Sequence, residues 1–315
     1  MSIETACQAL IDEYRSRPTI RAGSLITTIF GDSIAPRGGT LWLGSLISIM
    51  ADFGVSERLV RTSVFRLAND GWLESEQRGR RAYYSLTADG RERFRAATHR
   101  IYGAPAEAWD GYWSLLLLSN LNATTRDLVR KECGWLGFGS FSTSVMAHPT
   151  PNTEDLNDTL RRLGVADKVV IMTGSTVDSD DAMRRLANES WNLSDIDAKY
   201  KKFVKRFWPA LNAISSSEFI APKTAFLLRT LLIQDYRTVL LRDPQMPTAL
   251  LPSDWNGVAA YRLCRDLYSL IYERADEHLS AAIETKDGVL PAPGGGYHQR
   301  FGGLQNNKQR GGIEK

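Results

Sequence analysis

Between Glu57 and Leu73 the chain reads ERLVRTSVFRLANDGWL. At about 100° per residue, Val60, Val64, Leu67 and Ala68 fall on one side of a helix. Arg58, Arg61, Thr62, Phe65 and Asn69 fall on the other, with Arg66 at its edge. One face packs and the other presents polar groups that can read base edges. Arginine can bridge guanine, asparagine can bridge adenine, and an apolar group can meet the thymine methyl. Shortly after come two strand-like runs, WLESEQ and RAYYSL, separated by Arg78-Gly79-Arg80. Arg78, Arg80 and Arg81 suit phosphates or a narrow minor groove. A charged helix face alone is ordinary solvated surface, and the ordinary expectation for Phe65 is packing against the hairpin or the preceding helix. The two basic clusters in succession point to DNA.

The elements that must hold these groups follow from the same stretch. Ala22 to Phe30 reads as an apolar helix, followed by a loop, GDSIAPRGG. TLWL is a short strand and GSLISIMADF a second helix, with Gly54 fitting its C-terminal turn. Ser56 is the expected N-cap of the arginine-rich helix, and Glu57 sits at the positive end of its dipole. A glycine between two tyrosine- and apolar-rich runs predicts a hairpin. Thr87 can cap a following basic helix. The order helix, short strand, helix, turn, helix, hairpin is that of a winged helix-turn-helix, placed at residues 20–100.

Two further segments follow. YWSLLLLSN, TTRDLVRKECGW, FGSFSTSVMAHP, TEDLNDTLRRLG and KVVIMTG give the order βαββαβ over 105–177, a ferredoxin-like arrangement. Thr124 or Thr125 is the expected cap of its first helix. Residues 178–315 read as an all-helical C-terminal domain ending in an irregular tail from Lys286. The predicted class is thus α+β and multidomain. Residues such as Tyr200, Phe203 and Tyr268 sit at helical spacing and read mostly as core. With Lys201, Arg206, Arg229 and Arg237 interleaved, they can also hold an aromatic anion.

Composition narrows the function. The 315 residues carry a net charge of +3, yet Ser56 to Arg100 holds ten arginines and six acids, so the positive field is local. No apolar run is long enough to span a bilayer, and the N-terminus shows no secretory pattern. Three distant cysteines fit a reducing cytoplasm. Enzyme motifs are missing: the four histidines have no metal spacing, GFGSFSTS lacks the P-loop lysine, and no nucleophile elbow occurs. The carboxylates Glu154, Asp155 and Asp158 open a helix, where acids favour the dipole. Asp110, before the long apolar strand, is the single candidate for a metal-dependent nuclease. A ligand-binding module without a DNA role is a second alternative.

SLITTIFGDSIAPRGGTLWLGSLI, GVSERLVRTSVFRLANDGWLES, GRRAYYSLTADG, AWDGYWSLLLLS, LLIQDYRTVLLRDPQMPTALLPSDWNG and LPAPGGGYHQRFGGL make the chain resemble the PaaX family of phenylacetate-operon repressors along nearly its whole length. The resemblance implies a winged-helix domain, a central Cas2-like ferredoxin-like domain and a helical C-terminal domain. It also implies a non-enzymatic homodimer that binds operator DNA and is released by the effector phenylacetyl-CoA, with no cofactor and no metal. The resemblance assigns no ligand-binding residues.

Overall fold

Two residues after the first methionine the chain enters a helix that the patterning did not single out. The computed structural model describes residues 2–104, 109–176, 180–216 and 219–304. Helix α1 (Ile3–Arg15) begins at Ser2, whose hydroxyl accepts from the Thr5 N–H at 3.2 Å. Its Ala6, Cys7, Leu10, Ile11 and Tyr14 form a buried stripe at helical spacing.

Helix α2 (Ala22–Ile29) does not end in a loop. It continues through a π-helical turn, Phe30–Ile34, and a 3₁₀ turn, Ala35–Arg37. Only then do Gly38 and Gly39, at φ +88° and +74°, break the helical path. The expected GDSIAPRGG loop is therefore mostly helical, because Asp32, Ser33 and Ile34 are all buried. Strand β1 (Thr40–Trp42) and helix α3 (Leu43–Ala51) follow, and Gly54 takes φ +76° in the turn before α4 (Glu57–Asn69). Ser56 stands at the N-cap of α4 with an extended backbone, but its hydroxyl makes no cap bond. Its carbonyl accepts from the Leu59 and Val60 N–H groups instead.

Strands β2 (Leu73–Arg78) and β3 (Arg81–Leu86) pair antiparallel, with Arg78 opposite Arg81, so the hairpin turn is Gly79-Arg80. Gly79 at φ +60° supplies the left-handed first position of a tight two-residue turn. β3 also pairs with β1, giving the order β1-β3-β2. Tyr83 is core and Tyr84 only partly buried, as the pleat requires. Helix α5 (Ala88–Tyr102) is capped by Thr87, which accepts from the Gly90 N–H at 2.8 Å.

The chain packs as two units: 1–104 with 200–240 and 258–315, and 105–199 with 241–257. The long helices α9 (Leu193–Ser215), α10 (Pro222–Leu240) and α11 (Asn256–Ala282) contribute most of their length to the first unit. There α10 lies against α1 and α2. So the stretch expected as a separate helical domain, 178–315, is divided: 200–240 and 258–304 pack with the N-terminal stretch, while 180–199 and 241–257 belong to the second unit.

That core is tied by buried charge. The Asp32 carboxylate, 2% exposed, accepts from Tyr102 at 2.7 Å, Tyr268 at 2.9 Å and Arg300 at 3.0 Å, and pairs with Arg229 at 3.1 Å. Arg229 also reaches Asp276 at 2.6 Å, and Arg37 reaches the same carboxylate at 2.7 Å. Arg206 pairs with Glu13 and Asp235, and Arg237 donates to Thr28 and to Ser24. Of the basic residues interleaved among the helical aromatics, Arg206, Arg229 and Arg237 are thus engaged inside the fold, while Lys201 is exposed. The stretch from Lys286 is ordered through Leu304: strands β8 (Glu284–Thr285) and β9 (Gly288–Val289) form a small hairpin, and α12 (Gly295–His298) precedes the buried Arg300 and Phe301. The residues from 305 onward lie outside the described ones.

The second unit holds β4 (Tyr112–Leu117), α6 (Ala123–Trp135), β5 (Gly139–Ser142), β6 (Val145–His148), α7 (Thr153–Arg162) and β7 (Val170–Ser175), in that order along the chain. The sheet order is β5-β6-β4-β7, with every pair antiparallel. Asn122, rather than Thr124 or Thr125, caps α6, accepting from the Thr125 N–H at 2.9 Å. Its core contains Leu116, Val129, Cys133, Met146, Leu156 and Leu160. Helix α8 (Asp180–Trp191) belongs to this unit, and the Trp191 indole donates to the Gly137 carbonyl at 2.7 Å. The mixed α+β, multidomain class expected from the sequence is the observed one.

Candidate nucleic-acid interface

Helix α4 is held by one face. Val60 and Val64 are fully buried, joined by Ser63, and the helix contacts α2, α3 and β2. Each such valine adds about 1.5–3 kcal/mol of burial. The opposite face carries Arg58, Arg61, Thr62, Phe65, Arg66 and Asn69, all exposed. The angular split drawn from the sequence is therefore the real one, with Ser63 as an additional inward residue. Phe65 departs from expectation. It is 63% exposed, so it packs neither on the hairpin nor on α3. A bare aromatic ring costs solvation, which makes it available to a partner.

The polar groups on this face differ in commitment. Arg61 bonds Glu57, one turn back, at 2.7 Å, and both side chains are more than half exposed. Such an i,i+4 pair is weak and leaves the guanidinium free to exchange partners. The Thr62 hydroxyl donates to the Arg58 carbonyl at 2.9 Å and keeps its lone pairs for accepting.

The hairpin presents Arg78, Arg80 and Arg81, all exposed. Arg80 sits in the turn itself. Arg78 donates to Glu76 at 2.7 Å, and its hydrogen bond holds the Glu76 carboxyl below its ordinary range. Arg78 also reaches the Lys286 carbonyl at 3.3 Å. Arg81 pairs with Glu284 at 2.5 Å and stacks over the Trp42 ring at 4.4 Å. Two of the three basic groups of the hairpin are therefore bound by the 284–286 segment. No local pattern signals this pairing, because the partners are some two hundred residues apart.

A second feature adjoins the hairpin strand. A cavity of about 590 Å³ lies between α5, the π-helical turn and the 294–300 segment. Arg91, Phe94, Arg95 and His99 line it from α5, and Tyr297 and Arg300 from the tail. Arg91, Arg93 and Arg95 alternate along α5. In the structure Arg91 and Arg95 share the cavity wall, while Arg93 stacks on Trp72 at 5.0 Å. The available sequence signal was the triple glycine, Gly294–Gly296, beside aromatic and basic residues.

The Asp110 carboxylate accepts from the Tyr112 N–H at 2.9 Å, an ordinary turn bond before β4. Among the described residues no group of three or more His, Cys, Asp or Glu can hold a metal ion, and no helix is long and apolar enough to cross a membrane. The three cysteines are buried free thiols.

Comparison with known proteins bears on this arrangement along most of the chain. Residues 21–90 match the model of a PaaX-like protein, residues 106–186 that of the PaaX protein central Cas2-like domain, and residues 191–281 that of the PaaX-like protein C-terminal domain. The transcriptional repressor PaaX of Escherichia coli is 40% identical over 284 residues, covering 89% of this chain and 90% of the relative. This relative is a regulator rather than an enzyme. Among solved structures, the uncharacterized protein Rv0674 from Mycobacterium tuberculosis is 24% identical with a TM-score of 0.48, over 74% of this chain and 89% of that one. The matched segments and the identity to the repressor together place this chain in the PaaX family.

Proposed function

We propose that the chain is a transcriptional repressor of phenylacetate-degradation genes that binds a pseudo-palindromic operator as a homodimer. In this reading α2, α3, α4 and the β2–β3 hairpin act as a winged helix-turn-helix. α4 enters the major groove and the hairpin lies along the backbone. The observation that carries the reading is the α4 face itself: three arginines, a threonine, an asparagine and a 63%-exposed phenylalanine opposite two fully buried valines. A merely solvated helix has no reason to expose Phe65 among arginines.

The second unit supports the dimer. Its element order and its sheet order, β5-β6-β4-β7, fit a ferredoxin-like fold. β7 is an edge strand, and Val170, Ile171 and Met172 on it are 47, 42 and 49% exposed. An apolar edge strand left bare is an association site. A second copy of the chain joined there would give the dimer two α4 helices, one for each half-site.

Phenylacetyl-CoA is the effector in this reading, binding the DNA-incompetent arrangement better. A hundredfold shift in operator affinity requires about 2.7 kcal/mol of differential binding. The decisive experiment is footprinting of the full chain on the promoter beside its own gene, with and without a panel of acyl-CoAs. A protected palindrome released by phenylacetyl-CoA is the expected result. Absence of protection overturns DNA binding, and protection released by free phenylacetate alone overturns the effector.

A further inference from the structure

The cavity beside the hairpin has an unusual charge pattern for its size. Arg91, Arg95, His99 and Arg300 line it, and no aspartate or glutamate does. Arg300, on its wall, belongs to a buried cluster in which Arg37, Arg229 and Arg300 face two carboxylates, Asp32 and Asp276, an excess of one positive charge. Arg95 is paired with Glu92, but both are exposed, and Glu92 is not part of the lining. Arg91 makes no ion pair among the described residues. A concave surface with surplus cationic donors and no acid favours an anion. Phe94, Leu86 and Pro36 give the wall an apolar part, with Thr98 and Gln299 as uncharged polar groups. Its volume is that of a small-molecule site.

The walls also connect to the hairpin. Leu86 ends β3, and α5 starts two residues later. The opposite wall, 294–300, continues the segment whose Glu284 and Lys286 hold Arg81 and Arg78. Displacing that segment alters how these two arginines are held.

We propose that this cavity binds an amphipathic organic anion, its anionic groups at Arg91 and Arg95 and its apolar end against Phe94 and Leu86, and that occupancy is transmitted to the hairpin through the 284–300 segment. This rests on the repressor reading for its consequence at DNA, and places the effector in that cavity.

The test is calorimetric titration of the full chain with phenylacetyl-CoA and with CoA, on wild type, R91A/R95A, R91K/R95K and K201A/K202A. The last pair removes two exposed positive charges from α9, away from the cavity lining. R91A/R95A is expected to bind phenylacetyl-CoA at least tenfold more weakly with an unchanged thermal midpoint. R91K/R95K recovers part of the loss, and K201A/K202A binds as wild type does. CoA alone is expected to bind wild type more weakly than its phenylacetyl ester. Equal affinity of R91A/R95A and wild type overturns the site while leaving the effector reading intact. Equal weakening by K201A/K202A also overturns it, reducing the effect to overall charge. If wild type binds neither probe, the effector reading falls, and the cavity proposal with it.

Discussion

Arg61 on α4 and Arg80 in the hairpin turn are placed for different contacts. Arg61 is loosely held by Glu57, so a base edge can take it over at little cost. Arg61→Ala is expected to lower affinity for the specific operator by roughly 1–3 kcal/mol and to relax preference at one position. Arg80, in the hairpin turn, has the placement of a phosphate contact. Arg80→Ala should weaken binding to all sequences and reduce the salt slope by about one. Mobility shifts at several salt concentrations separate the two; equal operator binding by Arg61→Ala and wild type excludes α4 as the reading helix. In the other unit, His148 is an isolated histidine with a structural part. Burial holds its pKa down, from 6.5 to about 4. The Nδ1 lone pair accepts from the Thr150 N–H at 3.0 Å, so protonation there breaks a hydrogen bond. The unfolded chain takes up a proton below about 6.5 while the folded chain does not. This histidine's contribution is therefore complete above that pH and is lost as pH falls toward about 4. Urea unfolding between these limits should show stability decreasing by an amount on the order of 2–3 kcal/mol, and His148→Gln should flatten that slope.

Among the elements, helix starts show how much a cap residue's type can promise. Ser56 and Asn152 both stand at N-caps with extended backbones. Only Asn152 caps with its side chain, accepting from Glu154 and Asp155 at 3.0 and 3.4 Å. Asn152→Ala is expected to cost about 1 kcal/mol, and Ser56→Ala close to nothing, in chemical denaturation. A serine before a helix was readable; whether its hydroxyl turns to the free N–H groups was not, because that depends on a rotamer set by neighbours. The π-helical turn has the same lesson. GDSIAPRGG contains three glycines, a proline and an aspartate, all loop signals, yet burying Asp32 among arginines and tyrosines stabilises helical continuation. At the other sheet, KVVIMTG was legible as a strand but not as an edge, since edge position follows from which strands find partners. If the proposed dimer forms through that edge, replacing Ile171 by Glu leaves folding intact and gives a monomer in sedimentation velocity; a dimer unchanged by the substitution would move the interface elsewhere.

For the molecule as a whole, the decisive links join residues far apart in sequence. Asp32 brings together α2's extension, α5, α10, α11 and the tail through Tyr102, Arg229, Tyr268 and Arg300. Burial alone pushes its pKa up, but Arg229, Arg300 and the two tyrosine hydroxyls outweigh that and hold it below the ordinary value. Its contribution is thus present above the unfolded carboxylate value of about 3.9 and is lost as pH falls through the depressed folded value. Asp32→Asn leaves buried guanidiniums without their counter-charge and should cost about 3–5 kcal/mol, read as a lower urea midpoint that no longer steepens with acid. The same cluster explains why a glycine- and proline-rich tail, compositionally loose, is ordered to Leu304: Arg300 and Phe301 are buried in the first unit.

By itself the sequence determined what short-range periodicity can determine. The α4 face, the hairpin with its glycine, the βαββαβ order and the apolar strand YWSLLLLSN are local patterns, each fixed by residues within a turn or a strand of one another. Tertiary structure alone decided which distant pieces share a core. It placed the C-terminal helices with the N-terminal stretch, exposed Phe65, bound Arg78 and Arg81 to the tail, and set Arg91 and Arg95 in one cavity wall. The physical reason is that burial and ion pairing are properties of assembled surfaces. Two side chains two hundred residues apart carry no mark of each other until the chain between them has folded.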